Sequence, residues 1–220
     1  MKIGIIGSGN MGSALAKRIA LAGHDVLLTA KDRAKAEAVA SGIGPTVRVV
    51  AAGDVARDAD IVIAATPAGS QAEALRSAGD LNGKTVIDIA NPLKPDMSGL
   101  SVGYTTSFAE ELAKTLPTAR IVKAFNTTFA QVLSEGADFG GDVRAAVFYA
   151  GDDDKAKKAV HALIESMGFD AIDAGPLSHA RYLEPMGMLN IWLGYMAKRG
   201  TGIAPTWLVR RHKAASKRAA

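Results

Sequence analysis

Short runs of aliphatic and β-branched residues alternate along this chain with segments in which apolar residues recur at helical spacing. Lys2–Ile6 (KIGII) is the first run, and from Asn10 the period changes, with Met11, Leu15 and Ile19 apolar and Lys17 and Arg18 on another face. The same alternation predicts strands at Asp25–Thr29, Val47–Ala51, Ile61–Ala65, Thr85–Ala90, Arg120–Phe125, Arg144–Ala150 and Phe169–Asp173. Helices are predicted over Ala34–Ala40, Ser70–Ser77, Phe108–Leu116 and Lys155–Met167, with Gly53–Ala59 a short connection. The run IVIAA at Ile61–Ala65 is apolar throughout, as in a strand covered on both faces of a parallel sheet. A later segment, Leu183–Tyr195, is rich in Met and Leu and reads as core or as a subunit contact.

Between the first strand and the first helix stand Gly7, Ser8, Gly9, Asn10, Met11 and Gly12, a G-x-G-x-x-G sequence with the flanks that give it meaning. Gly7 permits the tight turn, Gly9 presents no Cβ to a pyrophosphate, and Gly12 lets helix and strand pack closely. A pyrophosphate would then rest on the free N–H groups at the helix N-terminus. The expected fold is therefore α/β, a Rossmann-type doubly wound and mostly parallel sheet over residues 1–178. A short C-terminal helical extension with a basic tail, residues 179–220, completes it.

The end of the second strand bears on the choice of dinucleotide. A carboxylate there would hold a ribose 2′-hydroxyl and repel a 2′-phosphate. This chain has Ala30, then Lys31, Asp32 and Arg33, so a 2′-phosphate has two cations to meet and NADP is expected over NAD. The competing reading makes Lys31 and Arg33 ordinary solvated charges and Asp32 the N-cap of the next helix. Three further loops, Thr66-Pro67, Asn91-Pro92 and Asn126-Thr127, each follow a predicted parallel strand. Ligands of open α/β sheets sit outside such strand ends, so these loops are expected to face the nicotinamide.

Composition narrows the function classes. There is no cysteine, hence no disulfide, thiolate metal site or cysteine nucleophile. No run reaches the ~18 apolar residues of a membrane span and the N-terminus reads as a strand, so a cytoplasmic protein without a membrane span is expected. The net charge of +4 is a property of the end: all seven Lys and Arg from Lys198 onward are unaccompanied by acid. Residues 1–197 carry 19 basic and 22 acidic side chains, and no nucleic-acid-binding motif stands out. Asp152, Asp153 and Asp154 precede a predicted helix, where acids suit capping and the helix dipole better than a metal. His24 reads as a loop residue, His161 as solvated, and His179 as the one histidine placed to approach a substrate.

No His–Asp or Ser-Tyr-Lys set is present for acid–base work on an alcohol or imine, so no catalytic residue is assigned. Hydride transfer between nicotinamide and a flavin-like ring needs no such set, because both rings carry the chemistry and the protein stacks them.

With those residues in hand, the chain resembles the NADPH-dependent deazaflavin reductases (coenzyme F420:NADP oxidoreductases) and the related cytoplasmic domain of the STEAP metalloreductases. The resemblance rests on Gly7–Gly12, the Lys31/Arg33 region and Val122-Lys123-Ala124-Phe125-Asn126. It rests further on Gly151-Asp152-Asp153-Asp154 and on Asp173 through Ser178 to Ala180-Arg181. It covers roughly residues 1–195 and implies a dimer carrying hydride between NADP(H) and coenzyme F420, FMN or FAD, with onward transfer to ferric iron in the metalloreductase branch. Ala30-Lys31-Asp32 stands where the deazaflavin reductases carry a Ser-Arg-Arg-like run, and Asn126 stands where they carry a His. The Phe-Asn pair reads as in the metalloreductase branch, which makes FMN or FAD a rival acceptor. Two other readings share the glycine loop: a pyrroline-5-carboxylate-reductase-like imine reductase, and a non-catalytic NADP(H)-binding redox sensor.

Overall fold

The computed structural model describes residues 1–208; the basic residues from Arg210 onward lie outside the described residues. Eight strands form one sheet: β1 (Lys2–Ile6), β2 (Asp25–Thr29), β3 (Val47–Val49), β4 (Ile61–Ala64), β5 (Thr85–Asp88), β6 (Arg120–Ala124), β7 (Ala146–Gly151) and β8 (Asp170–Asp173). Their spatial order is β3-β2-β1-β4-β5-β6-β7-β8. Neighbours run parallel except at β6–β7, where the sheet reverses. This is the expected mostly parallel doubly wound sheet, with its switch point where β1 has β2 on one side and β4 on the other.

Alternate residues of each strand feed two cores. Ile3, Ile5, Ile61, Ile63 and Val122 face α1 (Asn10–Leu21), α2 (Arg33–Ile43) and, further along, α6 (Ala130–Glu135) and α7 (Asp154–Ser166). Ile6, Val62, Val86 and Ile121 face α3 (Val55–Asp58), α4 (Ala68–Arg76) and α5 (Phe108–Thr115). α8 (Ala180–Ile191) closes the second layer, its Leu183 packing on Ala146, Phe148 and Ala150 of β7, and continues as a π-helical turn, Trp192–Met196.

Some boundaries differ from the pattern-based expectation. α2 runs through Gly42 to Ile43, and Gly44, at φ +132°, ends it instead. β3 stops at Val49, two residues short of the predicted end. No helix was expected after Asn126-Thr127-Thr128, yet α6 forms there; six residues are too few to display a helical period. Its last turn is held from α1, where Arg18 donates to the carbonyls of Leu133 (2.8 Å) and Ser134 (3.1 Å). Asp153 caps α7 through Ala156 N–H, and Asp152 accepts from Leu177 N–H, so two of the three adjacent acids tie backbone together.

On the α5/α8 side, the alternation that places Ile121 in the core also places Lys123 there. Lys123 lies in register with Asp88 on β5, and both are fully buried. The Lys123 ammonium meets Asp88 Oδ2 at 2.9 Å, Glu184 Oε1 of α8 at 3.0 Å and the Ala90 carbonyl. Asp88 Oδ1 also accepts from Gln71 of α4 (2.7 Å) and from Ala90 N–H (2.9 Å). Glu184 accepts from the first N–H groups of α5, Phe108 (3.0 Å) and Ala109 (3.2 Å). Arg181, one turn earlier on α8, pairs with Glu110 through two bonds of 2.8 and 2.6 Å, and the guanidinium holds that carboxyl below its ordinary pKa.

Removing the ammonium would leave two buried carboxylates facing each other without compensation. Lys123→Met is therefore expected to cost about 3–5 kcal/mol. Urea denaturation of the two proteins reads this directly, and a loss under about 1 kcal/mol would show that β5, β6 and α8 do not depend on the network.

Candidate functional site

A cleft of about 570 Å³ opens beyond the carboxyl ends of β1, β4, β5 and β6. One wall is the glycine turn. Gly7 sits at φ +116° and donates its N–H to Thr29 O at 2.7 Å, tying the turn to the end of β2. A Cβ on Gly12 would collide with the Gly7 carbonyl, so helix and turn touch backbone to backbone. Gly9 is different: a Cβ there would meet nothing within 4 Å, because the position faces open space in the cleft. Ser8 is buried behind it.

Three helices begin at this cleft: α1 after Gly9, α4 after Pro67 and α6 after Phe129. None has a side-chain cap, whereas α2, α5 and α7 are capped by Asp32, Ser107 and Asp153. Uncapped N–H groups at the end of a twelve-residue helix are suited to an anion.

The opposite wall comes from the β5 and β6 loops. Phe125, fully buried, takes φ +61° directly after β6 and turns Asn126, Thr127 and Thr128 into the cleft lining. A bulky residue in that region is strained, and such strain gathers at functional sites. Asn126 and Asn91 hold each other: Asn91 Nδ2 donates to Asn126 O (2.7 Å) and Asn126 Nδ2 to Asn91 Oδ1 (3.0 Å). Asn126 Nδ2 also reaches Leu183 O of α8 at 2.7 Å. The pair packs on Gly187, where a Cβ would stand 2.5 Å from Asn91 Oδ1. Pro92 lies just behind, its carbonyl holding Ser101, while Leu93 and Met97 of the following loop reach the cleft.

Four buried polar atoms of cleft-lining residues have no hydrogen-bond partner: Thr66 Oγ1, Asn126 Oδ1, Thr127 Oγ1 and Thr128 Oγ1. Unpaired polar groups are costly unless something satisfies them, so these atoms, Gly9 and the open α1 terminus fit a polar ligand such as a dinucleotide. The rest of the lining is apolar, including Met11, Ile89, Phe129 and Ile191. Tyr195, edge-on to Phe129 at 5.6 Å, carries the one ionisable side chain among the lining residues described.

Of the residues singled out in sequence, Gly9, Asn10, Met11, Thr66, Pro67, Asn91 and Asn126 meet at this cleft, with Gly7, Ser8, Gly12 and Pro92 in its supporting wall. Ala30, Lys31 and Arg33 stand apart, beyond the end of β2. Lys31 is exposed, Arg33 pairs with Glu37 at 2.8 Å, and Asp32 caps α2 through Lys35 N–H. His179 does not line the cleft; its Nδ1 meets the Ala174 carbonyl and its ring leans on Tyr182. His161 is half exposed, between Tyr149 and Glu165.

Sequence reasoning named Lys123 only as part of a family-like run, without a role, and passed over Asp88 and Glu184. The signal was present: an acid in TVIDIA and a lysine in RIVKAF, each inside an otherwise apolar strand, require each other once both strands are buried.

Known proteins share this sequence pattern and fold. Residues 2–92 match the family model described as NADP oxidoreductase coenzyme F420-dependent. The F420-dependent NADP reductase of Methanothermobacter marburgensis is 31% identical over 223 residues, covering 94% of this chain and 98% of that protein. Metalloreductase STEAP3 of Rattus norvegicus is 30% identical over 194 residues, covering 87% of this chain; the match spans 38% of that relative's length. A solved structure from Arthrobacter sp. FB24, described as a candidate F420-dependent NADP reductase, superimposes with a TM-score of 0.82 at 32% identity. It covers 96% of this chain and 100% of that one. The chain belongs to the F420-dependent NADP reductase family, oxidoreductases that use NADP.

Proposed function

We propose that this protein transfers hydride between NADP(H) and the ring of a deazaflavin or flavin lying against the nicotinamide in the cleft. The observation that carries this is the lining. Apart from the Tyr195 phenol, no described residue around the cleft carries an ionisable side chain. Reduction of a carbonyl or imine calls for a positioned proton donor, whereas ring-to-ring transfer calls for alignment and exclusion of water. The near full-length likeness to the methanogen reductase favours coenzyme F420 as acceptor, with FMN and FAD as the rivals.

In this reading Gly9 and the open N-terminus of α1 hold the pyrophosphate. Thr66, Thr127 and Thr128 offer hydroxyls, and Asn126 its free Oδ1, to the ribose and carboxamide. Asn10, Met11, Pro67 and Asn91 shape the wall, with Gly7, Ser8, Gly12 and Pro92 supporting it. When bound, the dinucleotide supplies the carbon that gives or takes the hydride. Met11, Ile89, Leu93, Met97, Phe125 and Ile191 keep that region apolar and dry. Ala30, Lys31 and Arg33 receive the 2′-phosphate; the Asp32 carboxylate is engaged at the α2 cap, and the exposed Arg33–Glu37 pair is weak enough to exchange.

The decisive experiment follows NADPH oxidation at 340 nm with coenzyme F420, FMN, FAD and riboflavin in turn, each with and without ferric chelate. Rapid turnover with the deazaflavin is expected. Turnover with flavin alone, or flavin turnover that needs ferric chelate, would move the protein to the metalloreductase branch. Tight NADPH binding with no turnover would make it a redox sensor.

The 2′-phosphate assignment has its own check. Lys31→Ala combined with Arg33→Ala is expected to weaken NADPH at least ten-fold more than NADH in binding titrations. Equal losses for both would remove these residues from the assignment.

We also propose a second copy of this chain as the protein partner. Tyr182, Leu189, Trp192 and Met196, spaced to share one side of α8 and its extension, are 69%, 56%, 49% and 41% exposed. A row of this kind suits self-complementary pairing about a two-fold axis. Light scattering should report a dimer that Trp192→Glu converts to a monomer; a monomeric wild type would overturn this.

A further inference from the structure

We propose that the buried Lys123–Asp88–Glu184 network biases the bound nicotinamide toward its oxidised form, so that these residues help drive hydride out of NADPH. The inference deepens the NADP(H) reading above and rests on it.

The network's charge follows from its hydrogen bonds. The three protons of the Lys123 ammonium face Asp88 Oδ2, Glu184 Oε1 and Ala90 O. Each carboxylate oxygen faces a donor: Oδ1 of Asp88 meets Gln71 Nε2 and Ala90 N–H, and Oδ2 meets Lys123. Oε1 of Glu184 meets Lys123 and Ala109 N–H, and Oε2 meets Phe108 N–H. Every atom that faces these oxygens is a donor, the arrangement that a carboxylate takes. Two carboxylates and one ammonium leave a net charge of −1, and all three residues are fully buried.

The location follows from the sheet. Ala90 gives its N–H to Asp88 and its carbonyl to Lys123, and Ala90 itself lines the cleft. Glu184 stands on α8 three residues before Gly187, which also lines it. With the pyrophosphate at α1 and the 2′-phosphate end beyond β2, the nicotinamide end belongs on the other side of the switch point, by the β5 and β6 loops. Among the described residues, no carboxylate, ammonium or guanidinium lines the cleft itself, and the Arg181–Glu110 pair is neutral overall.

Hydride departure breaks the C–H bond with both electrons, taking the ring from neutral to a single positive charge. A buried negative charge beneath an apolar wall interacts with that positive charge far more strongly than it would in water. The uncapped N-termini of α1, α4 and α6 act in the opposite direction, and they remain unchanged when the network's charge is altered.

The test is the ratio of Kd for NADP+ to Kd for NADPH, measured by titration calorimetry without any acceptor. Glu184→Gln and Asp88→Asn each bring the network to zero net charge, and each is expected to raise the ratio roughly ten-fold, the size of one unit charge acting across about 12 Å at an effective dielectric constant of about 20. For a two-electron couple that is a rise of about 30 mV in the bound potential. Gln71→Met removes a hydrogen bond from Asp88 without changing formal charge, and its ratio should stay within about two-fold of wild type. Equal weakening of both ligands in the charge variants, or a Gln71→Met ratio that moves as far as theirs, would reduce the network to a structural role. Because the helix N-termini are common to wild type and variants, the change in the ratio between them isolates the network's charge. A wild type that binds neither ligand would instead overturn the NADP(H) reading.

Discussion

One buried ammonium group sets the geometry on which the rest of the site depends. Lys123 has no water to solvate it, so its charge persists only because Asp88, Glu184 and Ala90 O surround it. Those three partners come from the strand beside it, from α8 and from the loop that ends β5. Satisfying one lysine therefore fixes the spacing of three elements at once. α8 is drawn under the sheet by Glu184, and Gly187 on the same helix then comes against the Asn91–Asn126 pair. Asp88 serves twice: by accepting Ala90 N–H it replaces a ladder bond, ends β5 and turns the chain toward the cleft.

The other wall depends on the absence of side chains. Gly7 and Gly12 touch through backbone, which brings the first turn of α1 hard against β1 and leaves its N–H groups facing outward. Gly9 differs from both. A Cβ there would meet nothing within 4 Å, so packing sets no requirement for glycine at that position. Two glycines that shape the turn and one that leaves room explain why the pattern G-x-G-x-x-G carries information beyond flexibility.

This division also explains what could be read from the sequence. The strands and the glycine turn were legible because burial on both faces and backbone contact leave few residue choices. The cleft-lining loops were legible from their place after parallel strands, which a doubly wound sheet turns into one rim. α6 was not legible, since six residues hold less than two helical turns. Nor was the reversal of β7, because a buried strand has the same composition in either direction. The mutual clasp of Asn91 and Asn126 was invisible for another reason: both residues suit turns, and only the fold brings them within 3.0 Å. The role of Lys123 was the costliest omission, as a lysine in a strand reads as exposed until its neighbours are known to be buried.

The location of that charge bears on the chemistry the cleft permits. A carboxylic acid or ammonium in the lining itself would offer a proton to any carbonyl or imine that entered, and would admit reactions other than transfer between two rings. The network keeps its charges one residue behind the wall, with the three ammonium protons and each carboxylate oxygen engaged by a protein partner. Its field still reaches the cleft through an apolar layer of low dielectric constant, while its protons do not. An apolar surface backed by fixed charge is thus able to shift a hydride equilibrium without adding an acid or a base to the site.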